Sequence, residues 1–203
     1  MQDKLPETNQ AHAYTPLLLG ALAVPLFVWS AFNAGYFDLD SESFIIPLAV
    51  FFGAPLAALG AFWAREAHFF RSTMAGAFGG FWLTYGLYLW LRQTGVIENS
   101  TAHMVALFFT AWAVTFAILW LGSVREAWTY SLVSLGSAVM LVLLAIAYFG
   151  GGTTFRDIGG WVGFVTAGLA WYASLAEILN LEYRRPVLPT DWTWFRGIRP
   201  GHR

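Results

Sequence analysis

The sequence predicts an all-α integral membrane protein with six transmembrane helices and both termini on the cytoplasmic side. Three observations carry that prediction. Of 203 residues, 58% are apolar and 11% charged, with a mean hydropathy of +0.56, whereas ordinary globular domains are about 25% charged. The apolar residues gather into six blocks of roughly the length a bilayer core requires. The basic residues between the blocks fall mostly on one side.

The blocks lie at 16–37, 44–63, 75–91, 104–121, 127–148 and 158–181. They give a cytoplasmic segment 1–15, a transmembrane unit 16–181 and a cytoplasmic tail 182–203. A six-helix soluble bundle would show a polar stripe every 3.6 residues. Block 127–148 offers only Thr129, Ser131, Ser134 and Ser137 besides tyrosines. With six spans, Lys4, Arg65, Arg71, Arg125, Arg184, Arg185, Arg196, Arg199 and Arg203 share the side of the termini, against Arg92 and Arg156 opposite. The excess marks the cytoplasmic face. Segment 1–15 is polar and mixed in charge and does not read as a cleavable signal peptide.

Block 75–91 is the shortest, and the segment before it, 67–74, reads as a partial or re-entrant turn. The stretch from Arg71 to Gly86 carries Gly76, Gly79, Gly80 and Gly86. Each glycine would cost a soluble helix about 1 kcal/mol relative to alanine. In a membrane, glycines permit close helix crossing or a break beside a polar path. A break would leave backbone N–H groups, with Ser72, Thr73 and Arg71, as an entrance for anions. Gly79, Trp82 and Thr84 would line the path beyond it. The pairs Gly53/Ala57, Gly60/Ala64, Gly76/Gly80 and Gly159/Gly163 read as tight helix packing. Trp63, Trp90, Trp128 and Trp161 near helix ends suggest interfacial anchors, while Trp82 and Trp112 lie deeper.

Several function classes fall away. A net charge of −1 argues against a nucleic-acid partner. There are no cysteines, and His12, His68, His103 and His202 lack ligand spacing, so neither metal nor cofactor is expected. No nucleophile–base pair lies in a span, which disfavours an enzyme. Gly150 to Thr154 lacks the Lys-Ser/Thr of a phosphate loop. Polar groups within the spans are candidates by default. Asn33 either contacts solute or ties helices together. Glu177 is either a buried proton carrier or an interfacial partner of Arg184 or Arg185. These residues alone reach a transporter or channel for a small solute.

Asn33-Ala34-Gly35-Tyr36-Phe37, Gly79-Gly80-Phe81-Trp82-Leu83, Gly160-Trp161-x-Gly163, Tyr172, Glu177-x-x-Asn180 and Val187-Leu188-Pro189 occur in collinear order. Together they resemble the acetate uptake transporter family, of succinate–acetate permease type. The resemblance implies a multi-pass inner-membrane protein, assembled as a homohexamer with one path per subunit. It implies uptake of acetate, sometimes succinate, with protons or by a channel-like route. It places Leu22, Phe78 and Ser137 at an apolar gate, where the family carries bulkier side chains, so a wider gate is expected. Ala57 and Ala64 stand where the family has Gln and Glu, and Ala13-Tyr14-Thr15-Pro16-Leu17-Leu18-Leu19 keeps only part of the family's opening motif. A less polar path also suits a neutral solute such as urea or a short amide.

Overall fold

Backbone polar groups inside a bilayer must be satisfied within the segment, so apolar blocks of this length become helices. The computed structural model describes residues 14–66, 68–97 and 101–190. Within them run α1 (Thr15–Asn33), α2 (Ile45–Arg65), α3 (Phe69–Gln93), α4 (Ala102–Ser123), α5 (Trp128–Ile146) and α6 (Thr153–Glu182). A 3-10 turn, Leu39–Phe44, leads into α2, and a π-helical turn, Ala147–Gly151, follows α5. Segment 1–15 and the tail 182–203 fall mostly outside the described residues, taking with them Lys4, His12, Arg196, Arg199, His202 and Arg203.

Five helices are long and apolar enough to cross a bilayer, and α3 is the exception. Its 25 residues span about 37 Å, ample in length. Arg71, Arg92, the glycines and the hydroxyl side chains dilute its apolar content. The expected break before it is absent. Helix α3 starts at Phe69 and continues unbroken through Arg71, Ser72 and Thr73 to Gln93. Arg71 is only half-buried, and a long basic side chain tolerates a helix end by laying its stem on apolar surface.

The glycines act in packing instead. Gly60 of α2 meets the backbone of Gly76, and Gly79 of α3 meets the backbone of Ala57 and Gly53 so closely that neither has room for a methyl group. One turn-pair further along, Gly86 lies against Ala49. This small-residue seam zips α2 to α3. A second close approach joins Gly160 of α6 to the backbone of Asn33 and Ala34 at the end of α1. The stretch Gly150 to Thr154 is not one loop: Gly150 and Gly151 close the π-helical turn and Thr153 and Thr154 open α6, with positive φ of 109° at Gly150 and 87° at Gly152, values that favour glycine.

Each helix packs on its neighbours in sequence, and α6 returns to α1, so the six close a ring. Helix α1 is the innermost, with 72% of its apolar window buried against 28% for α2. Large apolar side chains face outward instead, among them Phe51, Leu107, Ile118, Leu121, Trp161 and Val165. An apolar exterior around a packed interior is the inverse of a soluble bundle and suits lipid. Trp90 and Trp161 are among the exposed rings, as interfacial anchors would be, but Trp63 is fully buried. Its place near the end of α2 puts it inside the bundle, because α2 is drawn in against α3.

Candidate functional site

Helical spacing builds one lined space at the centre. Leu22, Leu26 and Trp29 recur at four and three residues on α1. Phe78, Phe81 and Trp82 do so on α3, and Ser137, Met140 and Leu141 on α5. Together with Phe116 of α4 these ten side chains line a single internal void. Its volume is about 10 Å³, at the lower limit for one water molecule. The throat is therefore closed by side chains. Phe78 is 2% exposed and lies on Phe116 with ring centroids 4.5 Å apart. The Ser137 hydroxyl donates to the Val133 carbonyl at 2.8 Å, spending its proton on its own helix. What faces the void is almost wholly apolar.

Leu22, Phe78, Ser137 and Trp82 thus share one cavity, and the other expected path residues do not line it. Gly79 turns toward α2, where its lack of a side chain serves the seam. Ser72 donates to the Gly60 carbonyl at 2.9 Å, again tying α3 to α2. Thr73 and Thr84 are exposed and donate to the carbonyls of Phe69 and Gly80 on their own helix. Asn33 is buried, and its Nδ2 donates to the Trp29 carbonyl at 2.9 Å, a bond within α1. For Thr73, Thr84 and Asn33 a carbonyl of the same helix satisfies a polar group that lipid would leave unpaired.

The polar pair at the end of α6 divides into two roles. Asn180 accepts from the backbone N–H groups of Val187 and Leu188 at 2.6 and 3.0 Å and donates to the Leu188 carbonyl at 2.9 Å. Tyr172 donates to the Pro189 carbonyl at 2.9 Å. These bonds explain the association of Tyr172, Asn180 and Val187-Leu188-Pro189 in the sequence: they fasten the chain after α6 back onto the helix. Asn180 is a clasp rather than part of a proton route. Glu177 accepts from the Tyr130 hydroxyl of α5 at 2.9 Å. The described ion pair is Arg156 with Asp157 at 3.6 Å, and Glu177 is held by a phenol instead of by Arg184 or Arg185.

Sequence reasoning missed the opposite end of the throat. Trp29 Nε1 donates to Glu42 Oε1 and to the Tyr85 hydroxyl oxygen, each at 3.1 Å. The Tyr85 hydroxyl donates to the same Glu42 oxygen. Glu42 belongs to the 3-10 turn and is 6% exposed, although in the sequence it is one of three acids closely spaced at 38, 40 and 42. A signal existed in part: Tyr85 continues the Phe78, Phe81, Trp82 face of α3 by one further turn. Trp29 is central to this layer, with Phe81, Trp82, Tyr85 and Phe109 rings within 5.0–5.8 Å.

A ring of membrane-type helices around a closed apolar throat, with a tyrosine–carboxyl pair toward each end, defines a permeation protein for small solutes. The chain belongs to the GPR1/FUN34/yaaH family, whose model matches residues 3–189. It is 27% identical over 176 residues to the succinate-acetate/proton symporter SatP of Escherichia coli (strain K12), covering 86% of this chain and 92% of that one. Acetate permease A of Emericella nidulans is 26% identical over 197 residues, covering 88% of this chain and 66% of its own length. The solved structure of the bacterial acetate channel SatP superposes with a TM-score of 0.82 at 26% identity, covering 92% of this chain and 99% of that one.

Proposed function

We propose that this chain carries acetate and related small monocarboxylates across the cell inner membrane through the throat between α1, α3 and α5. The observation that carries the reading is the apolar closure by Leu22, Phe78 and Ser137, in a fold shared along nearly its whole length with an acetate channel. Desolvating a carboxylate in so apolar a throat is expensive. The solute therefore crosses as the neutral acid, which amounts to anion plus proton. Succinate is a secondary substrate of the same path.

In this reading α3 spans the membrane with the other five helices, which sets both termini on one side. The nine-to-two distribution of basic residues makes that side cytoplasmic. Segment 1–15 and tail 182–203 lie there, flanking a transmembrane unit 16–181. Glu177, held by Tyr130 at that end, takes up the proton as the solute leaves. Subunits associate through their apolar outer faces as a homohexamer, each with its own path. The role is permeation, with no catalysis and no cofactor.

Labelled-acetate flux into proteoliposomes tests the reading, with succinate, lactate and urea as competitors. Protein-dependent acetate flux, reduced by succinate and untouched by urea, is expected. Urea flux that acetate does not reduce would favour a neutral-solute channel, the route that Ala57 and Ala64 would suit.

A further inference from the structure

Glu42 is a buried carboxyl group in a layer of aromatic side chains, directly beyond the throat. Trp29 both lines the void and donates to Glu42 Oε1, so a single side chain separates that carboxyl from the closed space. Counting from Phe78 to Tyr85, the layer stands about 10 Å along α3 from the gate. We propose that Glu42 is the group that hands a proton to the incoming carboxylate before it enters the throat. The inference rests on the transport reading above.

The surroundings suit a group that must exist in both charge states. An ionised carboxylate cut off from water is costly unless donors replace its hydration. Trp29 Nε1 and the Tyr85 hydroxyl both aim at Oε1 and supply two such donors. Tyr148 of the π turn lies within electrostatic reach of Glu42 as well, and Tyr88, Arg92 and Arg156 lie within reach of Tyr148. Helix α1 brings no ionisable side chain, and α2 has only Arg65, at its far end. Asp38 and Asp40 flank Glu42 along the chain. Arg92 and Arg156 are the two arginines on this side of the bundle, Arg156 is paired with Asp157, and His103 stands there at the start of α4.

The step balances. The O–H bond of the Glu42 carboxyl breaks, one O–H bond forms on a carboxylate oxygen of the solute, and the negative charge passes from solute to Glu42. The neutral acid enters the apolar throat. Water on the entry side then returns a proton to Glu42, so each cycle moves one proton with one carboxylate.

The test uses the full chain in proteoliposomes, with the interior near neutral and the exterior at about pH 5.5 or about pH 7.5, either side of the range where carboxyl and histidine groups titrate. Labelled-acetate influx is corrected for protein-free vesicles. The unmodified chain should accelerate on external acidification. Glu42→Gln keeps the size and an acceptor oxygen but has no proton to give, so uptake at about pH 7.5, where the solute arrives as the anion, should fall by on the order of tenfold or more. Uptake at about pH 5.5, where bulk neutral acid is plentiful, should fall less. Glu42→Asp should keep the uptake at about pH 7.5. An unaltered acceleration in Glu42→Gln overturns the inference and leaves acetate transport standing. So does an equal loss of flux at both pH values, which would make Glu42 a structural clamp only. No protein-dependent acetate flux in the unmodified chain would overturn both readings. Should Glu42→Gln fail to fold, Tyr85→Phe removes one donor to the carboxylate. The ratio of uptake at the two external pH values should then change, and an unchanged ratio overturns the inference.

Discussion

At the scale of single residues, the proposed gate turns on Phe78. Its ring is buried, pressed on Phe116, and fills the space that Leu22 and Ser137 leave open. Phe78→Ala should raise acetate flux on the order of tenfold, if removing the ring takes about 1.4 kcal/mol from the barrier. Larger monocarboxylates such as lactate should gain more than acetate. The same change creates a cavity costing about 3–5 kcal/mol, so Phe78→Leu is the milder companion. Flux and selectivity unchanged in both variants would remove Phe78 from the gate. The resemblance to a family pointed to Leu22, Phe78 and Ser137, and 3.6-residue spacing extends each to its neighbours Leu26, Phe81 and Met140. Glu42 was not legible, because nothing in a run of acids and serines tells which one folds inward. Only the meeting of α1, α3 and the 3-10 turn singles it out.

At the scale of elements, the α2–α3 seam accounts for the glycines that look excessive in the sequence. Their abundance was readable, but abundance fits either a broken helix or a close crossing. The choice depends on which face the neighbouring helix takes, which is a tertiary fact. Gly79 meets the backbone of Ala57, whereas Gly168 of α6 has nothing within 4 Å of where a methyl group would stand. Gly79→Ala should therefore destabilise the detergent-solubilised protein by about 1–3 kcal/mol. Gly168→Ala should be neutral or stabilising by up to about 1 kcal/mol. Melting temperatures of the two variants measured side by side decide it, and equal shifts would mean that the seam bears no particular load. Ser72→Ala tests the same junction more gently. Loss of its bond to the Gly60 carbonyl should cost about 1 kcal/mol.

At the scale of the whole molecule, the arrangement sets a charged solute against an apolar throat with a carboxyl–phenol pair at either end. Glu42 with Tyr85 and Trp29 stands toward the end of α1, and Glu177 with Tyr130 stands where α5 begins and α6 ends. Six apolar blocks made the ring of helices legible, since each segment must satisfy its own backbone in lipid. The pairing of acids with aromatics was not, because the partners stand 43 and 47 positions apart in the chain. The consequence is a pH dependence with a definite sign. Between about pH 5.5 and about pH 7.5, the neutral fraction of a simple carboxylic acid falls about a hundredfold. If the throat admits only the neutral species, protein-dependent uptake at fixed total acetate should be faster on the acid side. An inward acetate gradient should also drag protons, acidifying the vesicle interior beyond what protein-free vesicles show. A bare anion channel would give uptake nearly independent of pH, and its flux would respond to membrane potential. Recording acetate and internal pH together, with the potential clamped by a potassium gradient and ionophore, separates the two. Proton entry matched to acetate, and insensitive to the clamp, is the outcome that an apolar throat between two titratable ends requires.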